Sequence, residues 1–124
     1  MKLRAGESTK VIIPVMIGKG YHIQANPASN EFLVPMELKL KYADGIQYGS
    51  PDYPAGRSYR LAGTEEDLMT YEGAISVAVN AKILATASHG ERLVKGSLSY
   101  QACDSRRCFF PTAVPLAFKV LIHK

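Results

Sequence analysis

The stretch YQACDSRRCFF, residues 100–110, holds the only two cysteines of the chain, Cys103 and Cys108, with four residues between them. A cysteine pair at this spacing suits three kinds of chemistry: a structural staple, half of a metal site, or a redox couple that opens and closes. A structural zinc site wants four ligands, usually in two close pairs. The missing ligands would have to come from His22, His89 and His123, which lie far apart in the sequence, so no metal and no bound cofactor is expected. A staple closing so short a loop gains only about 2 kcal/mol of chain entropy. Thiol–disulfide exchange needs an accessible sulfur, positive charge that favours the thiolate, and a resolving thiol nearby. Arg106 and Arg107 supply charge between the cysteines, each cysteine supplies the other's resolving thiol, and Tyr100, Phe109 and Phe110 supply an aromatic rim. The residues by themselves leave staple and redox couple both open.

The elements that must position the pair have a period of two. In VPMELKLKY, Met36, Leu38, Leu40 and Tyr42 share one parity, and Glu37, Lys39 and Lys41 the other, the mark of a strand with one wet face. AISVAVNAKI repeats this with Ile75, Val77, Val79 and Ile83 inward, and VPLAFKVLI with Val114, Leu116, Phe118 and Val120. Pro14 in STKVIIPVMI places that segment at a sheet edge or a bulge. Gly18 to Gly20, Asn26-Pro27, Asp44-Gly45, Pro51 to Gly56, Gly63 and Gly90 punctuate the runs as turns. Helix signals reduce to one possible turn in TEEDLM, capped by Thr64 with Asp67 three residues on. Seven or so short strands in this length predict a single domain, residues 1–124, folded as an immunoglobulin-like antiparallel β-sandwich. Two of these strands, roughly 94–103 and 108–121, place the cysteines at the mouth of a hairpin. Leu98, Tyr100 and Ala102 share the apolar parity, so Cys103 is expected on the wet face with Ser97, Ser99 and Gln101.

The remaining composition narrows the function. At 124 residues the chain can bury a core without help from cysteines. Its net charge of +4 comes from lysines scattered along the chain rather than from a basic stripe with interleaved aromatics, which argues against nucleic acid. No apolar run nears the ~20 residues that cross a bilayer, so no insertion of this domain into a membrane is expected. MKLRAGESTK lacks the apolar core of a signal peptide, as suits a cytosolic protein or a domain excised from a longer one. No nucleophile elbow, phosphate loop or paired zinc motif is present.

The assembly GSLSYQACDSRRCFFPTAVPL resembles the end of the N-terminal periplasmic domain of the thiol:disulfide interchange protein DsbD family: a strand ending Tyr-Gln-x-Cys, a short loop, then Cys, an aromatic-proline stretch and a Val-Pro-Leu strand. GYHIQANPASNEFLVPMELKL, YPAGRSYRL and TYEGAISVAV are similar to further segments of that family, in the same order. The resemblance implies an immunoglobulin-like domain in the periplasm or an equivalent extracytoplasmic space, part of a longer inner-membrane protein. It further implies that the cysteines are reduced by a thioredoxin-like part of the same system, fed through a membrane-embedded domain. They would pass the electrons to periplasmic disulfide proteins, including isomerases and thioredoxin-like proteins of cytochrome c maturation. Carried over, Cys108 forms the mixed disulfide and Cys103 resolves it, with His22 at the family's Gly-aromatic-His position near the site. The best-known members have one more residue between the cysteines and an acidic cap loop containing Phe. The matching region here, about Ser58 to Asp67, has Glu65, Glu66 and Asp67 but no Phe, which leaves Tyr59 or Leu61 to cover the sulfurs, or leaves the site uncapped. The alternative is a non-catalytic interaction domain whose bridge only rigidifies a binding hairpin.

Overall fold

The alternating segments become eleven strands with no helix among the described residues, which are 1–64 and 66–124 of a computed structural model. In chain order they are β1 (Lys2–Arg4), β2 (Ser8–Met16), β3 (His22–Gln24), β4 (Glu37–Leu40), β5 (Ile46–Tyr48), β6 (Arg57–Arg60), β7 (Asp67–Tyr71), β8 (Ala74–Ile83), β9 (Gly90–Tyr100), β10 (Ala102–Cys103) and β11 (Thr112–His123). They pair as β1-β11-β9-β4, β10-β3-β7-β6 and β2-β8-β5. All pairings are antiparallel except that of β1 with β11, which is parallel.

The core forms where the apolar parities of the three sheets face one another. At one end Leu3, Val94, Val120 and Ile122 of the first sheet meet Val11, Ile46, Ala81 and Ile83 of the third. At the other, Leu38 and Leu98 meet Val77 and Val79 of β8 together with Ile23 and Tyr71 of the second sheet, and Met36 fills the space between them. This second cluster underlies the cysteines. Pro14 lies on β2 at an outer edge, where its missing N–H leaves no central ladder bond unmade.

Several expectations change in detail. The TEEDLM segment forms no helical turn in its described part: Thr64 donates to the Leu61 carbonyl, and Asp67 already belongs to β7. Glu65 lies outside the described residues. Tyr42, expected inward, is 83% exposed because β4 ends at Leu40 and the parity ends with it. Val114 is likewise exposed, at the far end of a strand whose burial deepens only toward Val120 and Ile122. The long hairpin of β9 and β11 closes at Tyr100 and Thr112, so the cysteines sit in the excursion between the strands and not on the main ladder.

Met36 is fully buried at the centre of the second cluster, and truncations of this kind cost about 2–5 kcal/mol through lost transfer energy and a residual cavity. Met36→Ala is therefore expected to lower the unfolding free energy, read from urea denaturation, by that amount, whereas Phe110→Ala, at a 94%-exposed site, should change stability by less than about 0.5 kcal/mol.

Candidate functional site

The excursion between β9 and β11 begins with a change of sheet. At Gln101 the chain leaves the β9–β11 ladder, and the Gln101 carbonyl accepts the N–H of Gln24. β10 then pairs with β3, placing Ala102 opposite Ile23 and Cys103 opposite His22. Facing residues of an antiparallel pair point to the same side of the sheet. Ala102, Ile23 and Tyr71 thus turn toward the core, and Cys103, His22, Gln24 and Thr70 share the other face.

After Cys103 the chain reverses within four residues. Asp104 N–H donates to the Arg107 carbonyl at 2.9 Å and Phe109 N–H to the Ala102 carbonyl at 2.8 Å. Cys103 and Cys108 are the directly facing residues between these two rungs, the position in which antiparallel Cα atoms approach most closely. Their Cα atoms are 3.9 Å apart and the sulfurs are bonded, a closer approach than the usual ~4.4–6.8 Å. The Asp104 carboxylate holds the reversal. Its Oδ1 accepts the N–H groups of Arg106 (2.8 Å) and Arg107 (2.9 Å), the side-chain mimic of a turn that Asp favours. Those two N–H donors, aided by the positive side chains of the same residues, hold the carboxyl below the ordinary aspartate range.

The two sulfurs have different surroundings. Cys103 is fully buried, contrary to its expected place on the wet face, and Cys108 is only partly covered. The parity itself holds, with Ala102 on the core side like Leu98 and Tyr100. The opposite face is covered at Cys103 because the chain has joined the second sheet, where Gln24 and Thr70 are themselves buried and Tyr59 and Ala62 lie against the turn. Gln24, itself fully buried, donates from Nε2 to Cys103 Sγ at 3.2 Å, with Cys108 Sγ at 4.0 Å. His22 stacks on Tyr59 with ring centroids 3.7 Å apart and pairs through Nε2 with Glu72 at 2.9 Å. Tyr59 reaches from β6 to the Asp104 carbonyl, a long contact of 3.5 Å, and Ala62 N–H donates to the Ser105 carbonyl. The segment after β6 therefore rests on the cysteine turn.

The remaining sequence candidates separate. Arg107 lies over the Phe109 ring at 5.0 Å, and Phe109 stands beside Tyr21, 6.3 Å between centroids. Gln101, Arg107, Cys108, Phe109 and Phe110 line one open cleft of about 330 Å³. Arg106 is exposed and reaches the turn through its backbone. Tyr100 packs on the second core cluster and pairs with Thr112, while Phe110 projects into solvent. Of the acidic run, Glu66 accepts a hydrogen bond from Asn30 and Asp67 pairs with Arg60, so neither is free to act on the sulfurs. Gln24 and Asp104 were not among the sequence candidates. The signal for Asp104 was its place directly after Cys103 with two N–H groups following. For Gln24 it was the alternation His22-Ile23-Gln24 around one apolar residue.

The sequence matches, over residues 1–117, the family described as thiol:disulfide interchange protein DsbD, N-terminal. This chain belongs to the DsbD N-terminal domain family. No curated protein sequence matches it. Among solved structures it is similar to the N-terminal periplasmic domain of ScsB from Proteus mirabilis, with TM-score 0.59 and 15% identity over 92% of this chain and 42% of that one. It is also similar to the reduced N-terminal domain of DsbD from Neisseria meningitidis, with TM-score 0.55 and 19% identity over 94% of this chain and 85% of that one. The chain thus spans less than half the length of the ScsB chain. At these identities the likeness concerns the fold, and the fold is the immunoglobulin-like all-β sandwich expected from the sequence. Family and bridge together support a thiol–disulfide exchange module.

The lowered Asp104 carboxyl has a definite pH signature. A carboxylate whose folded-state pKa is depressed stabilises above its unfolded value, and that contribution is lost as pH falls through the folded value. The protection of the Arg106 and Arg107 amides, taken relative to the intrinsic exchange rate at each pH, should persist from neutral pH down through the ordinary aspartate range and be lost only below it. Asp104→Ala should remove that protection at every pH, which amide exchange followed by NMR will read.

Proposed function

We propose that the domain passes electrons between a thioredoxin-like donor and disulfide-containing partner proteins in the periplasm or an equivalent extracytoplasmic space, with the membrane-embedded domain of the same system feeding the donor. The observation that carries the reading is the inequality of the two sulfurs. A partly covered Cys108 opens on a cleft rimmed by Phe109 and Phe110, while Cys103 lies fully buried behind it. A partner's sulfur can approach only the outer one, so Cys108 forms the mixed disulfide and Cys103 resolves it. In the reduced state Cys108 attacks the partner's disulfide, and Cys103 then attacks Cys108 Sγ to release the partner as a dithiol. The domain itself ends oxidised. Arg106 and Arg107 favour the Cys108 thiolate through their charge. Tyr59, stacked on His22 and resting on the cysteine turn, supports the expectation that it helps cover the pair. The non-catalytic reading finds its support in the complete burial of Cys103, which a structural staple would share.

Trapping separates the two. With a thioredoxin-like partner bearing a disulfide, reduced Cys103→Ala should accumulate a covalent complex through Cys108, identified by mass spectrometry. Cys108→Ala should accumulate far less, because its remaining thiol is enclosed. Replacing Arg106 and Arg107 together by Ala should slow complex formation several-fold at low ionic strength and less at high salt, where exposed charges are screened. Equal trapping by the two cysteine variants would remove the role assignment, and no trapping by either would favour the staple.

A further inference from the structure

Gln24 is an expensive residue at its position. It is fully buried, and among the described residues its side-chain Oε1 is a buried acceptor with no hydrogen-bond partner. An orphaned buried acceptor of this kind costs stability, and an apolar side chain of the same length would carry no such cost. The other end of the carboxamide is well placed: Nε2 stands 3.2 Å from Cys103 Sγ. A disulfide sulfur is a weak acceptor, so this contact does not offset the orphan in the oxidised protein. A thiolate is a strong acceptor, because hydrogen bonds to ionised groups are about twice as strong as neutral ones.

We propose that Gln24 is a catalytic residue of the exchange reaction, a fixed donor that stabilises the negative charge developing on Cys103. The inference rests on the exchange reading above. When the thiolate of a donor dithiol attacks Cys108 Sγ, a bond forms between the donor sulfur and Cys108 and the Cys103–Cys108 bond breaks. Its electron pair leaves on Cys103 Sγ. The donor's second thiolate then attacks the donor sulfur of the mixed disulfide, which releases Cys108 as a thiolate. The donor ends as a disulfide, having given up two electrons, and the two thiolates of the domain take up protons from solvent. In the first step Cys103 is the leaving group, and a thiol leaves faster the more stable its thiolate. Water cannot solvate that charge, because Cys103 is completely enclosed. The Nε2–H of Gln24 is already aimed at the sulfur, so no reorganisation is needed as the charge develops, the arrangement that makes oxyanion-hole donors effective. In the opposite direction the same contact keeps a fraction of Cys103 ionised for the resolving attack. His22, the cross-strand neighbour of Cys103, pairs with Glu72 through Nε2, and its buried Nδ1 has no partner among the described residues. With the ring proton on Nε2 toward Glu72, the neutral ring has no N–H to offer the sulfur, and Gln24 is the donor in contact with it. Tyr59, Asp104, Arg106 and Arg107 are further titratable groups at the turn; Asp104 is held by backbone N–H groups, and the two arginines are exposed on the side of Cys108.

The test is Gln24→Met, which keeps the length and removes both polar ends. The rate of reduction of the Cys103–Cys108 bridge by dithiothreitol should fall about tenfold, the scale of one lost charge-assisted hydrogen bond. The urea midpoint should stay the same or rise, since the orphaned oxygen is gone. In the Cys108→Ala background, the fraction of Cys103 present as thiolate at a given pH, read from its ultraviolet absorbance, should also fall about tenfold on adding Gln24→Met. A second readout needs no change at Gln24: in 15N-labelled Cys108→Ala protein, the Gln24 side-chain amide resonances should move as Cys103 ionises. An unchanged reduction rate or thiolate fraction in a folded Gln24→Met protein, or amide resonances indifferent to Cys103 ionisation, would overturn the proposal. These readouts use a small dithiol and a single thiol, so they stand apart from partner trapping. If trapping failed and these succeeded, the exchange reading would fall while the contact between Gln24 and Cys103 stood.

Discussion

Gln101 is the constraint on which the site depends. Its backbone carbonyl accepts Gln24 N–H, its side-chain Oε1 accepts Val34 N–H at 2.9 Å, and its Nε2 donates to the Phe109 carbonyl at 3.1 Å. One residue thus ties β3, the segment before β4 and the strand leaving the cysteine turn to a single point. A chain that continued straight from β9 would carry Cys103 outward with Ser99 and Gln101. By crossing to the second sheet at this residue, the chain places Cys103 on that sheet's covered face beside the buried Gln24, with Cys108 only partly covered. The chemical inequality of the sulfurs begins with this backbone topology, and the buried Gln24 and Thr70 on the face of Cys103 complete it.

The turn between the cysteines meets a second requirement. An exchange centre must change its bonding without losing its geometry, and here contacts other than the S–S bond also hold the turn. Two backbone rungs flank the pair, the Asp104 carboxylate closes the reversal, and the segment carrying Tyr59 and Ala62 rests on it. The core clusters that stabilise the fold draw on all three sheets and include neither cysteine. The bridge is therefore placed by the fold, and the fold has other means of holding together. This separation is what distinguishes a site that can be opened from a cross-link that must stay closed.

Much of this was legible in the residues. Alternation in AISVAVNAKI identified β8 and its inward face, and Pro14 marked an edge, because both are local consequences of a period-two backbone. The cysteine pair and its arginines and aromatics were visible from residue type and spacing. The burial of Cys103 was not, since a change of sheet at Gln101 depends on Gln24, some 77 residues earlier, and parity assumes that a strand keeps its neighbours. Tyr42 misled for a related reason: alternation in sequence continued past the point where pairing stopped. Gln24 and Asp104 escaped notice because each looks like an ordinary polar residue of a wet face or a turn. Only the three-dimensional arrangement shows one aimed at a buried sulfur and the other gathering two N–H groups.

The central claim, that Cys103 and Cys108 form an exchange centre and not a staple, is tested most directly by the equilibrium reduction potential of the pair. It can be measured by titrating the isolated domain against dithiothreitol or glutathione couples and counting free thiols. The account predicts a potential above about −300 mV, in the range where thioredoxin-like proteins exchange electrons. A value well below about −300 mV, typical of disulfides that persist as structure, would contradict it.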